Sequence, residues 1–235
     1  ARGIERRGLS AAAWAGSAMG MAILGSHPQH ALNLFLFLLA WLLAAAIRDL
    51  RDFLYWQYAK IIADSAGVGK RNYGFVMDRF KKLQSGEIAW DSIREYVKEH
   101  NDFHRCLYCG RAGDLTLDHL FPRARNGPED EKNAAWVCRS CNASKGARRL
   151  YEFYTTAKGG LQAAKYDVPC LAEGKYLKLL YGLFDGAGVL GVTEDDLHAR
   201  FCPTCDLGPI CAKEHSVGKL SPLCLDGVAT AVLRT

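Results

Sequence analysis

A chain of 235 residues exceeds one average domain of roughly 150 residues and falls short of two, so one main core with appendages is expected. Its composition, 49% hydrophobic and 23% charged, excludes wholesale disorder, collagen and other low-complexity classes. Thirty Lys and Arg against 25 Asp and Glu give a net charge of +5, which permits a polyanionic partner without identifying one.

The chain begins with Ala1 rather than Met, so its extreme N-terminus carries no argument. Leu9 to Gly25 is apolar but rich in Ala and Gly. After the polar break Ser26 to His30, Ala31 to Ile47 runs apolar except for Asn33. That second run sits at the lower limit of about 17 residues for a bilayer span, and Phe53, Tyr55, Trp56 and Tyr58 follow it as interfacial aromatics. Arg2, Arg6 and Arg7 precede the first run, Arg48, Arg51 and Lys60 follow the second, and no Lys or Arg lies between. The positive-inside rule then predicts a transmembrane helical hairpin in residues 1–47, anchoring the chain through residues 11–47 with both ends on the cytoplasmic side of the inner membrane. Two other readings stand beside it. One is a pair of buried helices in a soluble cytoplasmic protein. The other is a signal peptide to about Leu24, which conflicts with clustered thiols that export would oxidise.

Residues 48–101 read as a helical region. Ile61 and Ile62 end one amphipathic stretch, Val76, Phe80 and Leu83 mark another, Gly86 separates two helices, and Ser92 with Glu95 spells a capping box. These helices are expected to be scaffold.

The chemistry-bearing stretch lies in residues 102–158. It reads Cys106-Leu-Tyr-Cys109-Gly110, then Leu115-Thr-Leu-Asp118-His119-Leu-Phe-Pro122, then Asn133-Ala-Ala-Trp-Val-Cys138-Arg-Ser-Cys141-Asn142-Ala-Ser-Lys145-Gly146. Two C-x-x-C knuckles are the usual make-up of a closed structural zinc site, with Cys106, Cys109, Cys138 and Cys141 as ligands and no position left for water. Alternation over Leu115 to Leu117 and Ala134 to Val137 predicts two strands, and Arg139 onward has helical spacing. Such a unit sets Asp118 and His119 at the end of the first strand, opposite Asn142 on the first turn of the helix. Oxygen ligands from Asp and Asn suit a hard cation such as Mg²⁺, and an imidazole can take a proton from water at neutral pH. Arg123, Arg125, Lys145, Arg148 and Arg149 surround the motif as a basic face for a nucleic-acid backbone, against Glu129, Asp130 and Glu131 in the loop.

These residues resemble the HNH endonuclease family over about Cys106 to Gly146. The family pattern C-x-x-C, D-H-x-x-P, N, C-x-x-C-N-x-x-K-G is present in order. The chain as a whole reads as an α+β protein, mostly helical, and the resemblance implies that it carries a ββα-metal, treble-clef-like zinc module. It also implies hydrolysis of DNA phosphodiester bonds, with His119 as general base. Asp118 and Asn142 would ligate a catalytic Mg²⁺ or Mn²⁺, and Asn133, counted with the catalytic set, would hold the loop between the strands. Asn stands where the third letter of the family name has His, which fits Mg²⁺ or Mn²⁺ better than a softer ion. RNA is an alternative substrate, and a catalytically silent zinc module that binds nucleic acid is the alternative function. No small-molecule cofactor is expected, and the oligomeric state is not legible.

In residues 159–235, Gly174 to Phe184 reads as a helix and Thr193 as the cap of another leading to Phe201. Cys202-Pro-Thr-Cys205 is followed by Cys211, His215 and Cys224. A second zinc is expected on Cys202, Cys205, Cys211 and either Cys224 or His215, with an iron–sulfur cluster and free buried thiols as the other readings. Cys170 has no assigned role.

Overall fold

A computed structural model describes residues 32, 33, 35, 47–90, 104–214 and 220–234. The chain divides into two compact units, Ala1–Ala46 and Ile47–Thr235, and the description below concerns the second. The N-terminal hairpin lies outside the described residues, as does the Ser92–Glu95 capping box. Among the described residues, no helix is long and apolar enough to cross a membrane.

Helices dominate, with one two-stranded antiparallel sheet, so the class is α+β. Helix α1 (Leu50–Ser65) starts where the Asp49 carboxylate accepts the Asp52 N–H at 2.9 Å, supplying an acceptor for one of the amides that a helix start leaves unpaired. It buries side chains on nearly every side, from Phe53 and Leu54 to Tyr58 and Ile61. A helix covered all round is a central one. It packs between α2 (Tyr73–Gln84) and a long later helix. Asn72 caps α2, which turns Val76, Met77, Phe80 and Leu83 inward. Gly86 follows α2 with φ of 78°, a left-handed conformation that glycine adopts without steric cost.

Strands β1 (Leu115–His119) and β2 (Ala134–Cys138) pair with Leu117 opposite Trp136 and His119 opposite Ala134. Helix α3 (Arg139–Lys145) begins directly after β2 and packs on both strands. Beyond it come α4 (Leu150–Tyr154), a π-helical turn at Thr155–Gly159, and α5 (Gly160–Tyr166). The long helix α6 (Cys170–Gly186) starts just after Pro169, earlier than the expected Gly174. Proline at that cap has φ of −58°, already suited to a helix entry. Thr193 caps α7 (Glu194–Arg200) by accepting the Asp196 N–H at 3.2 Å. Helices α8 (Gly208–Glu214) and α9 (Pro222–Val232) complete the unit.

Helix α9 packs on α4, α5 and α6, and α1 packs on α6. Leu150, Phe153, Leu177, Leu180, Leu225 and Val228 are buried there, each contributing about 1.5–3 kcal/mol of burial free energy. Within this core Lys70 Nζ lies 2.6 Å from Glu173 Oε2, and the Tyr151 hydroxyl donates to the other oxygen of Glu173 at 3.1 Å. The hairpin docks on this body through Tyr108. Its ring meets Phe153 at 5.9 Å between centroids, and its carbonyl accepts the Tyr154 hydroxyl at 3.2 Å.

Candidate active site

The hairpin's two knuckles are made locally. Gly110 N–H donates to the Cys106 carbonyl at 2.8 Å, which closes the first turn. Cys138 ends β2, and Cys141 stands in the first turn of α3. The Leu107 N–H donates to the Trp136 carbonyl at 3.0 Å, binding one knuckle to the other. All four sulfurs consequently lie within 4.8 Å of one another, and Cys109 Sγ is 3.8 Å from Cys138 Sγ. Ligands at Zn–S distances near 2.3 Å in a tetrahedron stand about 3.8 Å apart. Burial pushes the Cys106 and Cys141 thiols up, while the Cys141 N–H and neighbouring thiols pull Cys138 down to about 7. Four adjacent thiolates need a cation to share, and a divalent ion supplies it. The donor set fits a structural zinc held by Cys106, Cys109, Cys138 and Cys141.

Beside the knuckles, Asp118 and His119 close β1. Alternation along the strand points them to opposite faces of the hairpin. Asp118 turns inward and is 8% exposed, with its carboxylate accepting the Tyr108 hydroxyl at 2.7 Å. Lys145, fully buried, reaches the same carboxylate at 3.2 Å and donates to the His119 carbonyl at 2.7 Å. Burial lowers the Lys145 pKa, and Asp118 opposes that push. One ammonium from α3 thereby fixes both the carboxylate and the strand end. His119 is half-buried on the outer face, where Leu117 and its cross-strand partner Trp136 are 46% and 45% exposed. Asn142 is half-buried, and its amide donates to the Leu117 carbonyl at 3.2 Å. That bond uses the nitrogen, so the oxygen Oδ1 is the atom left for an ion.

A carboxylate has about four lone-pair sites, so Asp118 keeps acceptor capacity beyond its two partners. The oxygens of Asp118 and Asn142 therefore fit a hard cation in chemistry.

Asn133 is fully buried and engaged with the loop. Its Nδ2 donates to the carbonyls of Phe121 and Pro128 at 2.8 Å each, and its Oδ1 accepts the Phe121 N–H at 2.7 Å. The loop folds back so closely that a Cβ on Gly127 would lie 2.2 Å from the Phe121 carbonyl oxygen.

The basic face differs from the sequence expectation. Arg149 is 0% exposed and forms a two-pronged pair with Asp206 at 2.9 and 3.1 Å, while its Nε donates to Glu152 at 2.8 Å. Arg125 also pairs with Asp206. Lys145 is buried on Asp118, so neither Lys145 nor Arg149 presents charge to a nucleic-acid backbone. Their partners lie elsewhere in the chain, which is why a one-dimensional count of cations overstates the face. Arg123 is exposed and pairs with Glu129 at 3.0 Å. Arg148 binds the Lys145 carbonyl at 3.1 Å and the Thr156 hydroxyl at 2.9 Å.

Cys202, Cys205, Cys211 and Cys224 line one cavity of about 210 Å³. Among the described residues, the four hairpin cysteines are the group whose ligand atoms stand close enough to share one ion. His215 lies outside the described residues. Cys170 donates to the Asp64 carboxylate at 2.8 Å, with its thiol pushed up to about 12 by burial first and Asp64 second.

Sequence reasoning missed Tyr108 as a partner of Asp118, the exposed Leu117–Trp136 pair and His198 beside the second cysteine group. Tyr108 sits inside the first knuckle, where spacing draws the eye to the cysteines alone. Strand alternation could have found Leu117 and Trp136, since both fall on the face opposite the buried Asp118 and Val137.

The HNH endonuclease family model matches residues 106–148. The segment that brings four thiols, Asp118, His119 and Asn142 onto one hairpin and helix is thus an HNH domain, and that membership points to nuclease-type activity. No curated protein and no solved structure matches the chain.

Proposed function

We propose that the chain is a metal-dependent endonuclease that hydrolyses DNA phosphodiester bonds. The module at residues 102–158 does the chemistry, and the helical regions 48–101 and 159–235 support it. The observation that carries this reading is the placement of Asp118 and His119 at the end of β1, tied by Lys145 to the helix that bears Asn142. His119, half-buried and without a side-chain partner among the described residues, accepts the proton of an attacking water. The water oxygen bonds to phosphorus as the bond to the 3′-oxygen breaks. Asp118 and Asn142 hold Mg²⁺ or Mn²⁺, which when bound supplies positive charge to the phosphate and the leaving oxygen. Asn133 acts by fixing the loop that follows His119. With Arg125 engaged by Asp206, Arg123 and Arg148 are the cations left to position a backbone, and such contacts set register without reading sequence.

Plasmid nicking by the purified full chain tests the reading. We expect cleavage with Mg²⁺ or Mn²⁺, none with EDTA, and a loss of about 10²-fold or more in His119→Ala, with zinc content and thermal melting unchanged. Nicking by His119→Ala at the wild-type rate would remove His119 as the base. Metal-independent DNA binding without cleavage would favour the binding-only module. The hairpin proposed for residues 11–47 would keep the chain in the membrane fraction through a carbonate wash, and release into the supernatant would end that proposal.

A further inference from the structure

We infer that Cys202, Cys205, Cys211 and Cys224 hold an iron–sulfur cluster in the cavity they line. Both cysteine groups of the chain offer four thiols, so they can be compared directly. In the hairpin the sulfurs close to within 4.8 Å, as one ion requires; in the C-terminal group they stand around about 210 Å³ of space. A single zinc would have to draw them to about 3.8 Å from one another. A cluster brings its own inorganic core and is held by four cysteine thiolates at its periphery.

The four cysteines come from separate elements around the cavity. Cys202 lies in a 3-10 turn at Cys202–Thr204, Cys211 on α8 and Cys224 on α9. The residue after Cys205 is Asp206, which Arg149 and Arg125 clamp to the HNH domain. Leu223 and Val228 of α9 make the remaining wall largely apolar.

Two further features favour a bulky sulfur-rich occupant. Gly227 sits inside α9, where glycine costs about 1 kcal/mol relative to alanine. A Cβ there would stand 2.7 Å from Cys205 Sγ, so the glycine keeps the helix clear of a ligand sulfur. His198 also lines the cavity, with Nδ1 3.1 Å from Cys202 Sγ and with Nε2 buried and lacking a hydrogen-bond partner. An imidazole N–H at a ligating sulfur is a means of tuning a cluster.

The test is metal and sulfide analysis of the full chain purified without oxygen, before and after reconstitution with ferric iron, a thiol reductant and sulfide. The expected result is one zinc per chain, at least two irons with matching acid-labile sulfide, and visible absorption that bleaches with dithionite. Cys211→Ser and Gly227→Ala should each lose most of the iron while keeping the zinc and the helical circular dichroism. Two zincs and no iron after reconstitution would overturn the inference in favour of a second zinc site. Iron retained in full by Cys211→Ser, or no metal beyond one zinc, would overturn it outright. None of these outcomes depends on cleavage of DNA, so failure here leaves the endonuclease proposal standing.

Discussion

In the HNH hairpin, four thiols come from one turn, the end of one strand and the first turn of the helix that follows it, and they stand within 4.8 Å of one another. In the C-terminal region, four thiols come from a 3-10 turn, its flanking loop and two separate helices, and they surround about 210 Å³. The difference lies in how each group is held. Short-range hydrogen bonds across a hairpin place the first group with little help from the core. Packing of α9 on α4, α5 and α6, and of α7 on the 3-10 turn, places the second.

The largest expected effect follows from cutting the local arrangement. Cys106→Ser or exhaustive chelation should unfold the HNH hairpin, because metal binding in small zinc modules supplies about 10–16 kcal/mol of folding free energy. Loss of zinc together with loss of nicking, while the helical signal from the remaining core persists, is the outcome to look for. A fully folded and active Cys106→Ser would show that the hairpin does not need its metal.

Next comes the tie between the two regions. Arg149→Ala removes a fully buried guanidinium from Glu152 and Asp206 and should cost about 3–5 kcal/mol, read by urea denaturation. It should also loosen the loop bearing Cys205 and lower metal retention there more than at the hairpin. An equal loss at both sites would erase the distinction drawn between them.

A smaller effect belongs to the hairpin side. Asn133→Ala leaves the buried Phe121 amide without its acceptor and frees the carbonyls of Phe121 and Pro128, at a cost of about 1–3 kcal/mol. Cleavage should fall as well, since this loop directly follows His119. Unchanged stability would mean that water replaces the lost bonds.

The last effect is a pH dependence on the α9 side. Asp226 is fully buried, and desolvation first of all pushes its carboxyl up to about 7 despite Arg149 and the Tyr176 hydroxyl. The neutral form is therefore favoured in the folded state. Its stabilising contribution is complete below the ordinary carboxylate range and fades as pH rises through about 7. Wild type should lose stability relative to Asp226→Asn between pH 5 and pH 8, measured by denaturant titration. A flat difference would show that Asp226 is ionised throughout.

Much of the hairpin was legible in the chain because its determinants are close in sequence. Leu115 to His119 and Ala134 to Cys138 alternate as strands do, and two C-x-x-C pairs at hairpin spacing can hardly avoid one another. The fate of the cations was not legible. Arg149 and Arg148 are adjacent letters, yet one is sealed against Asp206 and the other sits at the hairpin's surface beside Thr156. Lys145 likewise reads as a surface cation until Asp118 is found beside it.

By itself, then, the sequence determined the secondary elements of the module, the four hairpin cysteines that converge and the order of Asp118, His119, Asn133 and Asn142, since backbone periodicity and short-range spacing need no distant partner. Only the tertiary structure decided which cations are buried, that Tyr108 and Lys145 hold Asp118, and that the C-terminal thiols enclose a cavity instead of converging. Those outcomes rest on contacts between residues far apart in the chain, where desolvation and close packing choose the partners.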